Sequence, residues 1–369
     1  MRYRRMPIEI ESPEQLGYER IRINLTESSM PDVPLADLGA DLSRLVLLYG
    51  DHVGHPGLRE LIAADVPGAS PDDVLLAAGA ATALFIVATS LLDRGDHLVV
   101  ARPNYGTNIE TPRAIGCDID FLDLTFEQRF AVDPDRVAAL MTPRTRLVSL
   151  TCPHNPSGQV MREPTLRALV ALVEERGCRL LVDETYRDMA IGTPLPVAAS
   201  LSPLVISVAS LSKTYGMPGL RTGWIVCRDG ALMETFLAAK EQISLTGSVV
   251  DEALAFEAYR QRPQRRARAL ERTASSLGVV RDWIAGQDMF EWVEPQGGVV
   301  AFPRIRPDLE VDVDEFYRIL NERYGTFVGP GHWFEQSRRH FRLGYGWPTG
   351  DQLREGLANL EAAVAQART

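Results

Sequence analysis

Ser210-Leu211-Ser212-Lys213-Thr214-Tyr215-Gly216-Met217-Pro218-Gly219-Leu220-Arg221-Thr222-Gly223-Trp224 sets one lysine among small and hydroxyl-bearing residues, just past the apolar run at 204–208. An arginine follows eight positions later. A lysine that is to react as an amine must be neutral part of the time, and burial beside cations brings this about. The planar fork of an arginine suits a fixed anion, because it donates two parallel hydrogen bonds. A lysine after Ser-Leu-Ser is by itself most often a surface residue. Its meaning therefore depends on what surrounds the segment.

Outward from this segment, apolar runs alternate with amphipathic stretches. The runs at 74–78, 97–101, 118–122, 147–151, 180–182 and 204–208 read as strands. The stretches at 57–64, 81–92, 108–115, 134–141 and 164–176 read as helices, the last with Pro164 near its start and Gly177 after its end. Continuous apolar strands alternating with helices imply a parallel sheet covered on both faces, an α/β fold. A further strand at 221–227 follows the one at 204–208 too closely for a crossover, so it is expected to be antiparallel. Helices are expected at 231–243, at Val249–Arg260 and over an arginine-rich stretch, 262–283, that links to a smaller α+β domain. Within that domain, 299–303 and 341–345 read as strands, and 313–323 and 350–365 as helices. Residues 1–40 are polar, broken by Pro13, Pro31 and Pro34, and read as an arm with little regular structure. The expected division is an arm over 1–40 joining the small domain, a large domain over 41–260, and the small domain over 261–369.

A chain of 369 residues has room for two domains. Its net charge of -10 and sequence pI of about 5.2 argue against sequence-independent nucleic-acid binding, which needs a basic surface. The four cysteines, at 117, 152, 178 and 227, form no CxxC pair and no metal-ligand spacing, so buried free thiols and a reducing cytoplasm are expected and a metal is not. The basic start, Met1 to Pro7, leads into no apolar segment of a secretory signal, and no run is long and apolar enough to span a membrane.

Several short motifs stand at the ends of the predicted strands. Asp183 closes an apolar run in Leu180-Leu181-Val182-Asp183-Glu184-Thr185-Tyr186, where open α/β sheets bind ligands. Alone it would serve equally as a helix cap. Asn155 lies in Cys152-Pro153-His154-Asn155-Pro156-Ser157-Gly158, which is turn chemistry whatever else it does. Ala78-Gly79-Ala80-Ala81-Thr82-Ala83-Leu84 joins a strand to a helix through small residues, leaving helix amides open to an anion. Tyr105, Arg342 and Tyr49 stand in Arg102-Pro103-Asn104-Tyr105-Gly106, His340-Phe341-Arg342-Leu343-Gly344-Tyr345 and Leu48-Tyr49-Gly50-Asp51-His52-Val53-Gly54.

In order and separation these motifs, from about residue 24 to the C-terminus, resemble the class I/II aminotransferases, the fold-type I family that uses pyridoxal 5′-phosphate. The resemblance implies a large domain with a mostly parallel seven-stranded sheet flanked by helices, and a smaller α+β domain. It implies that Lys213 forms a Schiff base with the coenzyme aldehyde and then carries a proton. Arg221, Ser210 and the amides of Ala80 and Ala81 are implied to hold the phosphate; the chain departs from the family where a serine or threonine often adds a hydroxyl, and unless Thr82 compensates one side-chain hydrogen bond is lost. Asp183 would pair with the ring nitrogen, Tyr186 and Asn155 with the ring hydroxyl, and Tyr105 would stack on the ring. Arg342 would grip the substrate carboxylate, with Asn155 beside it. Tyr49 would reach the phosphate of a neighbouring subunit, which requires a homodimer with shared active sites.

The implied reaction moves an amino group between an L-amino acid and a 2-keto acid, with a specialised biosynthesis as its expected setting. The alternative is a β- or γ-elimination or a cyclisation of a substituted amino acid, because both begin with loss of a proton from Cα. A non-catalytic regulator that binds the coenzyme is a second alternative; such regulators carry a DNA-binding domain, for which the arm is too short. A dinucleotide-dependent dehydrogenase is discounted, since no Gly-x-Gly-x-x-Gly opens a helix after a strand. The arm segment Asn24-Leu25-Thr26-Glu27-Ser28-Ser29-Met30 departs from the family pattern. A buried Glu27 there would face a basic or guanidinium side chain, whereas an exposed one would carry no such meaning. Gly331-His332-Trp333-Phe334 is a further candidate for the pocket wall.

Overall fold

The computed structural model describes residues 1–368. The arm has more regular structure than its composition predicts. Two prolines each open a single helical turn, α1 (Pro7–Ile10) and α2 (Pro13–Leu16), at the position where a missing N–H leaves nothing unpaired. The arm then extends into a strand, β1 (Ile23–Leu25).

Helix α3 (Pro56–Ala64) precedes the main sheet. The seven strands of that sheet are β2 (Val74–Ala77), β3 (His97–Arg102), β4 (Asp118–Asp123), β5 (Thr145–Thr151), β6 (Arg179–Asp183), β7 (Val205–Ser210) and β8 (Gly223–Cys227), in the order β2-β8-β7-β6-β5-β3-β4. All pairings are parallel except those of β8, which runs antiparallel to both β7 and β2. The short link after β7 enforces this, as its length predicts. The first helices of the large unit are α4 (Gly79–Leu91), α5 (Thr107–Ile115), α6 (Pro134–Leu140) and α7 (Glu163–Arg176), each between two strands. They are followed by α8 (Gly230–Ser244) and α9 (Val249–Arg260).

Apolar clusters fill both faces of the sheet. Leu98, Val100, Ile206, Val208 and Ile225 are wholly buried on one face, with Phe236 of α8 above them. Each such side chain contributes ~1.5–3 kcal/mol relative to exposure, so the sheet edge is a rigid platform. Because β8 is reversed, its start lies at the same edge as the ends of β2, β5, β6 and β7. That edge collects Gly79, Thr151, Asp183, Ser210 and Gly223.

Helix α10 (Arg262–Ala285) leads away over 24 residues, about 36 Å at helical rise. Its far half joins a second apolar core through Leu277 and Val280. The strands around that core are β9 (Phe290–Glu291), β10 (Val300–Ala301), β11 (Arg304–Ile305), β12 (Thr326–Pro330) and β13 (Phe341–Gly344), with α11 (Val313–Arg318) and α12 (Gly350–Gln366). Four strands form a sheet in the order β1-β12-β13-β10, so the arm supplies an edge strand, with Ile23 opposite Thr326. The strand expected at 299–303 is only two residues long, and the helix expected over 313–323 ends as a π turn at Ile319–Arg323. Among the described residues, no helix is long and apolar enough to cross a membrane.

Candidate active site

The anion cradle forms where β2 enters α4. Gly79 has φ +84°, and a Cβ there would stand 2.5 Å from Arg221 Nη2. A Cβ on Gly223 would meet the backbone of Gly79 and Ala80 at 2.6 and 2.7 Å. Glycine is therefore required at both positions for α4 to start against β8. The amides of Ala80 and Ala81 lie in the first helical turn, where no intrahelical acceptor exists. Arg221 donates to the Pro218 carbonyl at 2.8 Å and to the Ala78 carbonyl at 3.4 Å, and no carboxylate pairs with it among the described residues. Ser210 is buried at the end of β7; its hydroxyl accepts from the Ser212 amide at 3.3 Å and keeps its own proton to donate. Thr82 does not supply the missing hydroxyl, because it donates to the Ala78 carbonyl one turn back, at 3.0 Å.

Asp183 is 5% exposed at the end of β6, between Thr151 and Val208 in the sheet. Burial raises its pKa, while the bonds from Thr185 and the Lys213 charge oppose the rise. Both Thr185 bonds, at 3.1 Å from the amide and 2.6 Å from the hydroxyl, fall on Oδ1. Oδ2 is left for another donor. The Tyr186 hydroxyl donates to the Ser28 carbonyl at 2.8 Å, and burial pushes its pKa up to about 12. Its proton is thus used within the chain, and the lone pairs remain for a ligand. Tyr105 follows β3, its amide held by Asn104 Oδ1 at 2.8 Å, and burial raises its phenol, with Asp183 and Arg221 near enough for their charges to act on it.

Lys213 lies in the loop after β7, half-buried, with its carbonyl accepting from the Met30 amide at 2.9 Å. Burial, followed by the Arg342 charge, lowers its pKa, as a reacting amine requires. Arg342 is 5% exposed on β13. It donates to the Thr26 carbonyl at 2.8 Å and to Asn155 Oδ1 at 3.3 Å, and its Nε has no partner. A buried guanidinium in no ion pair among the described residues, with an unused N–H, could anchor an incoming carboxylate. The rings of Phe334 and Trp333 stand 5.2 and 6.0 Å from its carbon, so the 331–334 segment does form a wall here.

The structure thus gathers Lys213, Asp183, Tyr186, Asn155 and Arg342 with the arm around Glu27, and sets Gly79, Ala80, Ala81, Ser210 and Arg221 along the same edge. Tyr49 is not among them: it is 79% exposed in the run Val46, Leu47, Leu48, Tyr49, all of it exposed. A groove of about 760 Å³ lined by Thr214, Tyr215, Arg260, Arg265, Arg268 and Arg272 holds none of the predicted site residues. Thr26, Ser28 and Met30 escaped sequence reasoning because they act through backbone groups. Thr185 could have been found, since a hydroxyl two residues after a strand-end aspartate forms a local side-chain turn. The cysteines are free thiols, three buried and Cys117 half-buried.

Pyridoxal phosphate fits this donor set: a glycine-lined cradle with an unpaired arginine for its phosphate, a buried carboxylate oxygen for its ring nitrogen, and a half-buried lysine of lowered pKa for its aldehyde. The sequence profile of the family described as aminotransferase class I and II matches residues 23–360. The capreomycidine synthase of Streptomyces vinaceus is 32% identical over 321 residues, 86% of this chain and 81% of that protein. The arginine–pyruvate transaminase of Pseudomonas aeruginosa is 31% identical over 309 residues, 80% of this chain and 77% of that protein. Among solved structures, the PLP-dependent cyclase OrfR superposes with a TM-score of 0.89 at 29% identity, covering 99% and 98% of the two chains. A PLP-dependent aminotransferase from Streptococcus suis superposes with a TM-score of 0.92 over the whole of both chains, and its 24% identity speaks for the fold alone.

Proposed function

The chain belongs to the class I and II aminotransferases, enzymes that depend on pyridoxal 5′-phosphate, and on that premise we propose that it moves an amino group between an L-amino acid and a 2-keto acid. The carrying observation is the pairing of a desolvated amine, Lys213, with a buried carboxylate anchor, Arg342, whose Nε is unused. Ala80, Ala81, Ser210 and Arg221 would hold the coenzyme phosphate. Asp183 would hold the ring nitrogen, Asn155 and Tyr186 the ring oxygen, and Tyr105 one ring face. When bound, the coenzyme supplies a sink for the electron pair left at Cα. The rest falls to side chains. Arg342 fixes the α-carboxylate, which orients the bond to be broken at Cα. Lys213, its pKa lowered by burial and then by the Arg342 charge, would take the Cα proton and later return one.

A homodimer with shared sites accounts for Tyr49. Four consecutive large apolar residues at 61–79% exposure are costly on a lone protomer, and a second copy would cover them. We take 1–40 as the arm, 41–260 as the coenzyme-binding domain and 261–369 as the small domain, and free thiols support a reducing, cytoplasmic setting.

A second reading, elimination or cyclisation, is favoured by the likeness to capreomycidine synthase and to OrfR. Both readings share Lys213 and Arg342 and differ in what leaves. The test is a panel of L-amino acids mixed with purified holoenzyme without a keto acid. Transamination predicts the 2-keto acid with the coenzyme left as its stable amine form. Release of ammonia or a side-chain group, with the aldehyde form restored, would instead establish the second reading. No spectral response to any amino acid would favour the regulator.

A further inference from the structure

The arm is stitched to the site at three alternate residues. The Thr26 carbonyl accepts from Arg342 at 2.8 Å, the Ser28 carbonyl from Tyr186 at 2.8 Å, and the Met30 amide donates to the Lys213 carbonyl at 2.9 Å. Glu27 lies between the first two stitches, its backbone pressed on Gly344, where a Cβ would stand 1.8 Å from its carbonyl oxygen. Its Oε1 is reached only weakly, by Tyr18 Oη and Asn24 Nδ2, each at 3.4 Å. Glu9 of α1 and Glu14 of α2 stand further up the arm. Among the described residues none of the three pairs with a basic side chain, although Glu11, between them, pairs with His332 at 2.9 Å. The charges of Glu27, Glu14 and Glu9 all act on Lys213, and those of Glu27 and Glu9 on Arg342.

The arm also bridges both halves of the molecule over the site. Met6 packs on Gly106, where a Cβ would come within 2.5 Å of its sulfur, and Trp333 donates to Glu11 at 2.7 Å. A substrate anchored through its carboxylate at Arg342 would therefore extend its side chain beneath an arm bearing three uncompensated carboxylates. Glu27 and Glu9 are half-buried and Glu14 is exposed; like charges gathered at one site repel, and a cationic ligand would relieve that repulsion.

We propose that Glu27, supported by Glu9 and Glu14, selects an amino acid with a guanidinium or other cationic side chain, an assignment that rests on the coenzyme-dependent amino-acid enzyme proposed above. A planar guanidinium can meet the free Oε2 of Glu27 while its remaining N–H groups face Glu9 or Glu14. Selectivity thus comes from the arm, whereas Arg342 and Lys213 serve any α-amino acid.

The test compares L-arginine with L-citrulline, which has the same length and shape but a neutral head. Coenzyme content is measured first by visible absorbance; a chain that takes up none would sink the parent reading and this one together. Dissociation constants for the two ligands are then measured on wild-type holoenzyme and on Glu27→Gln. Arginine is expected to bind roughly tenfold or more tightly than citrulline, as for one good charge-assisted contact. In Glu27→Gln that ratio is expected to fall to within about twofold of unity, with citrulline affinity unchanged. Glu9→Gln serves as the second variant, with a partial loss of the same ratio. Equal affinity for both ligands in a coenzyme-loaded wild type, or an equal loss for both in Glu27→Gln, would overturn the proposal and leave the coenzyme reading intact.

Discussion

Of the thirty-nine basic residues in this chain only Lys213 and Lys240 are lysine. Arginine cannot lose its proton in the accessible range, so a site that needs a free amine must keep lysine. Lys213 is the one proposed to meet that need. Lys240 is 1% exposed on α8 with its Nζ unpartnered; burial lowers its pKa and Glu252 opposes. A second buried titratable group lies beside the site. Burial raises Glu184 from an ordinary 4.5 to about 7, against hydrogen bonds from Ser207 and the Ala198 amide and the Arg187 charge. Folding thus holds a proton that the unfolded chain releases above its ordinary pKa. Stability is full below about 4.5 and declines until about pH 7, by on the order of 3 kcal/mol. Glu184→Gln can still accept from Ala198 and does not titrate. Melting temperatures measured across this window should therefore fall less steeply with pH in the variant; an unchanged slope would show that Glu184 is not the group responsible.

At the scale of elements, the junction of β2, α4 and β8 carries the anion cradle. Gly223→Ala would drive a methyl into the backbone of Gly79 and Ala80, an overpacking that costs ~1–3 kcal/mol. The expected outcome is weaker coenzyme retention on dialysis with a modest drop in melting temperature. Full retention would contradict the cradle. The seven large-sheet strands were legible within three residues because strands buried on both faces are continuous apolar runs. The reversal of β8 followed from loop length alone. The smaller sheet was harder to read. Ile23–Leu25 is three residues long with Asn24 at its centre, and Thr326–Pro330 holds Gly329 and Pro330, which speak against a strand. Asn24 is tolerated because its side-chain oxygen accepts from Thr26 twice, at 3.0 and 2.7 Å. Without β1 in view, nothing in the sequence could show that the following carbonyls grip Arg342 and Tyr186.

Across the whole molecule, the large sheet carries the proposed coenzyme side of the site and the smaller unit brings Arg342, with α10 between them. Arg262 ties the near end of α10 to Asp188 at 2.9 Å and to the Tyr215 hydroxyl at 2.9 Å, two residues past Lys213. The exposed run at Val46 to Tyr49 is where the proposed dimer would close. Sedimentation velocity is expected to show a dimer, and Leu47→Asp with Leu48→Asp to give a monomer that loses coenzyme more readily; a coenzyme-saturated wild-type monomer would contradict the shared site. The central proposal is that Lys213, and not Lys240, carries the coenzyme. Reduction of the purified holoenzyme with borohydride, followed by peptide mass mapping, is predicted to place a phosphopyridoxyl group on Lys213 and none on Lys240. A label on Lys240, or no label on a coenzyme-loaded protein, would contradict it.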